Sequence, residues 1–336
     1  MTQTQTPIPA FDSIHGRSVL IIGGAGFIGS TLAHRLVGLG ARVMLIDSMN
    51  PLYGGNLRNL AGIEEQVTLN ISDVRDRHSL SYLVGGKDFI FNLAGQTSHM
   101  DSMADPFTDL EINATAQLSL LEVCRHHAPD TKIVFASTRQ IYGRPHYLPV
   151  DERHPIKPVD VNGINKTAGE FYHVLYDEVY GLRTTVLRLT NTFGPRMRIK
   201  DARQTFLGVW FRRVLENQSF EVWGGDQKRD YSYVDDVVNA LLLAALNPAT
   251  DGQTYNLGGP QVLSLLDTAK NLRDVVPGSS FQVCEYPEER KKIDIGDYYC
   301  DYSLFNGQTG WVPAVSFEEG AMRTLDYYRG ELSHYI

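Results

Sequence analysis

Cysteine is scarce in this 336-residue chain, and its three residues, Cys124, Cys284 and Cys300, are far apart and lack CxxC spacing. That argues against a disulfide framework or a zinc knuckle, so no metal site is expected, and it suits a reducing compartment. Long apolar runs are missing too. None approaches the ~18 residues of a membrane span, and the polar opening MTQTQTPIPAF has neither the basic nor the apolar region of a secretory signal. Positive charge is in deficit: 31 Lys and Arg face 39 Asp and Glu, a formal charge of −8. Such a balance disfavours general nucleic-acid binding but leaves room for a local basic pocket. Internal repeats, low-complexity tracts and Pro/Ser linkers are also absent. With 43% apolar and 21% charged residues, the chain reads as a globular, cytoplasmic protein with no membrane or nucleic-acid partner. Its length fits one large α/β domain or two intimate ones.

What is present is alternation. Residues 1–16, rich in Thr, Gln and Pro, read as a flexible leader. Ser18–Ile22 (SVLII) is a short β-rich run that stops at Gly23 and Gly24 and gives way to helical spacing through Leu32, Leu36 and Leu39. A second run, Arg42–Asp47 (RVMLID), follows Gly40, giving strand, glycine turn, helix, strand. Residues 88–93 (DFIFNL), 132–136 (KIVFA) and Thr184–Leu189 (TTVLRL) read as further buried strands. Residues 105–127 read as one helix with Asp105 as N-cap and Pro106 in the first turn, and 166–180 as another. The expected fold is a doubly wound parallel (Rossmann) sheet. After about residue 190 the elements shorten, and helices at 235–246 and 264–275 stand out from a smaller α/β lobe.

Three motifs carry chemistry. Residues 23–29 (GGAGFIG) contain GxGxxG at Gly24, Gly26 and Gly29, and GxxGxxG at Gly23, Gly26 and Gly29. The string follows a strand and opens a helix, where backbone N–H groups can meet a pyrophosphate. Asp47, 18 residues past Gly29 at the end of the next strand, can accept from ribose hydroxyls and repels a 2′-phosphate, so NAD is favoured over NADP. A purely structural glycine turn is the alternative. Next, Ser137 and Thr138 open residues 137–143 (STRQIYG) at the carboxyl end of a strand. They can bind a polar substrate or merely cap a turn. The third motif is residues 162–170 (NGINKTAGE).

With that third motif the chain resembles the extended short-chain dehydrogenase/reductase family, in its nucleotide-sugar epimerase/dehydratase branch. The resemblance runs from Ser18 to about Arg329 and includes residues 72–76 (SDVRD), 93–102 (LAGQTSHMDS), 188–196 (RLTNTFGPR), 229–236 (RDYSYVDD), 255–258 (YNLG) and 310–313 (GWVP). It implies an NAD-binding part at 17–189 plus 231–257 and a nucleotide-sugar lobe at 190–230 plus 258–330. It also implies a cofactor site of Gly23, Gly26, Phe27, Ile28, Gly29, Asp47, Asp73, Val74, Leu93, Ala94, Gly95 and Lys166. Gln96, Ser98, His99, Thr138, Asn191 and Arg229 are implied on the substrate side, with UDP the expected nucleotide. A homodimer is implied through helices 105–127 and 166–180, with Leu118, Leu121, Phe171 and Leu175 as core or interface residues.

The family's centre pairs Ser/Thr with Tyr-x-x-x-Lys, the cation favouring the phenolate that moves the proton. Thr138 and Lys166 match, but the Tyr position is Asn162, and no lysine of the chain has Tyr four residues before it. An amide is no general base near neutrality. The proton then goes to Lys166, His99, Tyr142 or Tyr147, or Asn162 positions a water or a sugar hydroxyl, or turnover is lost. Arg139 and Gln140 stand where 4,6-dehydratases typically carry Asp-Glu, which disfavours simple dehydration. Arg229 is expected on the diphosphate, with a surface ion pair to Asp230 or Asp226 as the alternative; the family's second Arg is missing from residues 292–297 (KIDIGD), although Arg290, Lys291 and Lys292 lie nearby. The resulting expectation is an NAD-dependent nucleotide-sugar epimerase. A dehydrogenase, keto-sugar reductase or decarboxylase is the enzymatic alternative, and a catalytically impaired nucleotide-sugar-binding protein or partner subunit is the alternative of another class.

Overall fold

In the computed structural model, which describes residues 11–336, the alternation of the N-terminal half becomes one parallel sheet. Its strands include β1 (Ser18–Ile22), β2 (Arg42–Asp47), β3 (Val67–Ile71), β4 (Phe89–Asn92), β5 (Lys132–Thr138) and β6 (Thr184–Leu189). A seventh, Gln253–Asn256, pairs in parallel with β6, so the order is Gln253–Asn256, β6, β5, β4, β1, β2, β3. Apolar runs dominate because helices cover both faces: Val19 to Ile22 and Ile133 to Phe135 are buried almost completely. The winding direction reverses between β1 and β4, and such a switch point opens a crevice at the carboxyl ends of the strands.

The helices of this part are α1 (Phe27–Gly38), α2 (Arg77–Leu83), α3 (His99–Ala104), α4 (Pro106–Leu110), α5 (Ala116–His127) and α6 (Val161–Tyr180). Asp105 does cap at Pro106, accepting from the Thr108 N–H at 3.1 Å. The helix expected over 105–127 is interrupted, however, by a π turn at Glu111–Thr115, a distortion that apolar periodicity does not reveal. Helix α6 begins five residues earlier than expected. Asp160 caps it by accepting from the Gly163 N–H at 2.7 Å, which puts Asn162 in the buried first turn. Gly181, at φ 69°, ends it.

Beyond β6 the smaller lobe holds β7 (Asn191–Phe193), α7 (Phe206–Leu215), β8 (Phe220–Trp223), β9 (Lys228–Tyr233), β11 (Val262–Ser264), α9 (Leu265–Val275) and β12 (Phe281–Cys284), while α8 (Val234–Leu246) and β10 (the seventh strand, Gln253–Asn256) return to the large sheet. Strands β7, β9 and β11 form one small sheet, and β8 pairs with β12. The domain boundary expected at residue 231 therefore falls inside β9, whose pairing belongs to the small sheet. Phe193, Trp210, Phe211, Tyr231 and Phe317 build this lobe's own core; burying each aromatic contributes roughly 1.5–3 kcal/mol before entropy is counted. Part of the expected leader is structured: Phe11–Ile14 make a 3-10 turn that buries Ile14 in the main core. Residues 1–10 of the leader lie outside the described residues. No helix among the described residues is long and apolar enough to cross a membrane.

Candidate active site

Strand β1 ends at Gly23, whose φ of +83° suits glycine. The turn then folds so tightly that a Cβ on Gly29 would fall 2.1 Å from the Gly23 carbonyl oxygen. Gly26 caps α1 without a side chain, which leaves the first-turn N–H groups facing the crevice. Asp47 is fixed by the backbone: one carboxylate oxygen accepts from the Ala25 N–H at 3.0 Å and the other from the Met49 N–H at 2.9 Å. Burial raises its pKa against these hydrogen bonds.

Every cofactor-side residue read from the sequence, apart from Lys166, lines this one crevice. Asp73 is there with its carboxylate paired to Arg75 at 2.8 Å, and the Arg75 hydrogen bond holds its pKa below the usual range. Ser72, not singled out from the sequence as a ligand, also lines the crevice, and its buried hydroxyl has no partner. An unfilled donor–acceptor beside a ribose-reading carboxylate and open helix N–H groups fits a dinucleotide. Among the described residues no cluster of His, Cys, Asp or Glu is arranged to hold a metal.

Lys166 lies beneath the crevice floor. Its ammonium donates to the Ala136 carbonyl at 3.0 Å and sits 4.8 Å from the centroid of the Phe135 ring. A Cβ on Gly95 would come within 2.9 Å of Nζ, so Gly95 is what lets the cation approach the crevice. Burial pulls its pKa down to about 8, with Asp109 opposing.

A second cavity, of ≈ 540 Å³, opens toward the smaller lobe and is lined by Ser98, His99, Arg139, Gln140, Asn191 and Arg229, among others. Gln96 and Thr138 do not line it. The Gln96 carbonyl accepts from the amides of Asn113 at 3.0 Å and Asn162 at 2.7 Å, and its side chain donates to the Ser98 carbonyl at 2.9 Å. Thr138 stands at the partly buried end of β5, where its oxygen accepts weakly, at 3.3 Å, from the Gln140 N–H. Ser98 caps α3 through the Asp101 N–H.

His99 Nδ1 lies 2.9 Å from a carboxylate oxygen of Asp160, a side chain with no exposed surface. Gln140 donates to the same oxygen at 2.8 Å. Burial alone would raise the Asp160 pKa; His99, Gly163 and Gln140 together hold it below the usual range. Arg229 is buried, not a surface residue, and neither Asp230 nor Asp226 is its partner. It pairs with Asp294 at 3.3 Å and donates to the carbonyls of Lys228 and Gly296.

Asn162 reaches neither cavity. It is 2% exposed, and its amide donates to the Gln96 carbonyl and, at 3.1 Å, to Asp109. Asp109 is itself fully enclosed and also accepts from Asn113 at 3.0 Å and Asn165 at 2.8 Å. Both amide hydrogens of Asn162 thus already have buried partners, which leaves only its side-chain oxygen to accept from a water or a sugar hydroxyl. Nothing in the sequence pattern marks Asp109 as this hub.

Two tyrosines weighed as substitutes for the missing phenol are also misplaced. Tyr142 is fully buried, accepts from Arg188 at 2.6 Å and donates to Asn256 at 2.7 Å, and burial pushes its pKa up. Tyr147 is exposed and donates to Asp151 at 2.6 Å.

Comparison with known proteins places this geometry. The model of the NAD dependent epimerase/dehydratase family matches residues 19–258. A putative UDP-glucose 4-epimerase of Methanocaldococcus jannaschii is 32% identical over 315 residues, covering 93% of this chain and 98% of the relative. UDP-glucuronic acid decarboxylase 1 of Xenopus tropicalis is 29% identical over 99% of this chain and 77% of its own length. Among solved structures, UDP-glucose 4-epimerase of Thermotoga maritima with UDP-glucose superposes with a TM-score of 0.85 at 29% identity, covering 94% of this chain and 99% of the other. NAD is thus the cofactor whose crevice the glycine turn and Asp47 build, and the chain belongs to the NAD dependent epimerase/dehydratase family.

Proposed function

We propose that the protein is a nucleotide-sugar epimerase that inverts a sugar carbinol by transient oxidation, with UDP as the nucleotide. The observation that carries this reading is the position of Lys166. Its ammonium lies under Gly95 of the cofactor crevice and bonds Ala136, two residues before Thr138. NAD, when bound, supplies reversible hydride acceptance. The chain supplies the rest. Thr138 holds the reacting hydroxyl, since its own O–H has no acceptor among the described residues. Lys166 takes the hydroxyl proton and returns it, because a pKa of about 8 leaves a working fraction of neutral amine near neutrality. Arg229 and Asn191, which both line the substrate cavity, bind the diphosphate.

The lack of carboxylates at Arg139 and Gln140 removes the acid–base pair that elimination of water requires, so epimerisation is favoured over dehydration. Asn162 favours a second reading, a binding protein without turnover. We also propose a homodimer through α6. Ile164, Phe171, Leu175 and Val179 form an exposed apolar row on it, whereas Leu121 of α5 belongs to the core.

Proton NMR of the purified protein with UDP-, GDP-, CDP- and dTDP-linked hexoses and hexuronates tests the function. A new anomeric signal without net NADH is the expected result. Net NADH means a one-way dehydrogenase, and binding without a new signal means the non-catalytic reading.

A further inference from the structure

Arg139 follows Thr138 directly and faces the substrate cavity. Its guanidinium is incompletely matched. One terminal nitrogen, Nη2, donates to the Asn191 side-chain oxygen at 3.0 Å. The other, Nη1, is closed off from solvent and has no acceptor. The Tyr298 ring, 5.2 Å from Cζ, offers a π face but no full counter-charge. Among the described residues Arg139 forms no ion pair, and the carboxylates around it are committed. Asp230 accepts from Thr190 and from the Cys300 N–H, and Asp294 pairs with Arg229 and accepts from the Gly296 N–H. The nearest other strong charge, Arg229, is of the same sign; burial and Arg229 together pull the Arg139 pKa down to about 10. Asn191 adds to the mismatch, because its side-chain nitrogen is likewise buried and without a partner.

A partly buried cation with one enclosed N–H group lacking an acceptor is costly, and it is relieved when an anion arrives with the ligand. Two anions are available on a nucleotide sugar: the diphosphate on C1, and a carboxylate on C5 if the sugar is a uronate. Position separates them. Thr138, on the reading above, holds the reacting hydroxyl. With that hydroxyl on C4, the C5 carboxylate is on the adjacent ring carbon, while the diphosphate on C1 lies across the ring. Arg139, which follows Thr138 and lines the cavity, then faces the C5 substituent, and Arg229, which lines the same cavity, is left for the phosphates. A planar guanidinium whose Nη2 is held by Asn191 has Nη1 left to meet a carboxylate.

Resting on the nucleotide-sugar reading, we propose that Arg139, oriented by Asn191, is the specificity residue for a sugar carboxylate, and that the substrate is a nucleotide-linked hexuronate.

Calorimetric titration of the NAD-loaded full chain with UDP, UDP-glucose and UDP-glucuronate tests this without relying on turnover. The wild type is expected to bind UDP-glucuronate about tenfold or more tightly than UDP-glucose. Arg139→Gln is expected to erase that preference while leaving UDP affinity within about twofold, and Arg139→Lys to restore part of it. Unaltered UDP binding also shows that the variants fold, and the wild-type preference is readable without any variant. Equal wild-type affinity for the two sugars overturns the carboxylate role and leaves the nucleotide-sugar reading standing. So does a uniform loss for all three ligands in Arg139→Gln, which would make Arg139 a phosphate ligand. No binding of any of the three overturns both.

Discussion

The cofactor crevice and the substrate cavity open at the same edge of one sheet, yet they hold their polar groups in opposite ways. In the crevice the backbone does the positioning: Asp47 accepts from two main-chain N–H groups, and the turn leaves room for nothing but hydrogen at Gly29. In the cavity side chains from separate strands lean on one another, Arg139 on Asn191 and His99 on Asp160, and polar atoms of Arg139 and Asn191 remain unmatched. Apart from the unpartnered Ser72 hydroxyl, the crevice is shaped before its ligand arrives, whereas the cavity is completed by its ligand.

Lys166 sits beneath Gly95 of the crevice and, on the reading above, moves the proton, so replacing it gives the largest effect. Lys166→Met should lower kcat about 10²–10⁴-fold while NAD still binds, read from kcat against NAD affinity. The wild-type kcat should rise with pH and level off above about 8, since burial lowers the Lys166 pKa to that value and only the neutral amine accepts a proton. A flat profile in the wild type would assign the proton elsewhere. His99→Gln then decides, for a loss as large as that of Lys166→Met would make the imidazole the acceptor.

The crevice half of the comparison breaks most directly at Gly29. Gly29→Ala places a Cβ on the Gly23 carbonyl, and NAD affinity should fall about 10²-fold, of the order of 3 kcal/mol. UDP, which binds at the other cavity, should be nearly unaffected. Equal losses for both ligands would show that the two regions are not independently built. Smaller again, Asn162→Ala should destabilise the fold by roughly 1–3 kcal/mol in a denaturant titration, because Asp109 and the Gln96 carbonyl lose a buried donor. The smallest effect on chemistry is expected from Phe171→Glu on the exposed row of α6. Sedimentation should show a monomer, with kcat changed less than about threefold; an unchanged dimer would place the interface elsewhere.

The same contrast governs what was legible in the sequence. The glycine turn, Asp47 and the parallel strands are local patterns with a fixed spacing, and the structure puts them where the pattern does. Lys166 was legible as a position, but its enclosure under Gly95 was not, because that depends on a neighbouring strand. The π turn at Glu111–Thr115 left no trace in the apolar periodicity, although it is what turns Asn113 toward the Gln96 carbonyl. Tyr142 and Tyr147 were attractive as candidates because sequence distance says nothing about direction; one is locked inside against Arg188 and the other faces Asp151 on the surface. The Arg139–Asn191 contact joins residues 52 apart in the chain, and no spacing rule reaches that far.

The amide hub around Asp109 limits what can stand at position 162. Asn113, Asn162 and Asn165 all donate to that one enclosed carboxylate, so each side chain is fitted to the other two. Restoring a phenol at position 162 removes one donor and inserts a ring into a site that is 2% exposed, and it does so before any proton-transfer benefit is gained. The asparagine is thereby fixed by its neighbours: a tyrosine at this position requires the hub around Asp109 to be refitted at the same time.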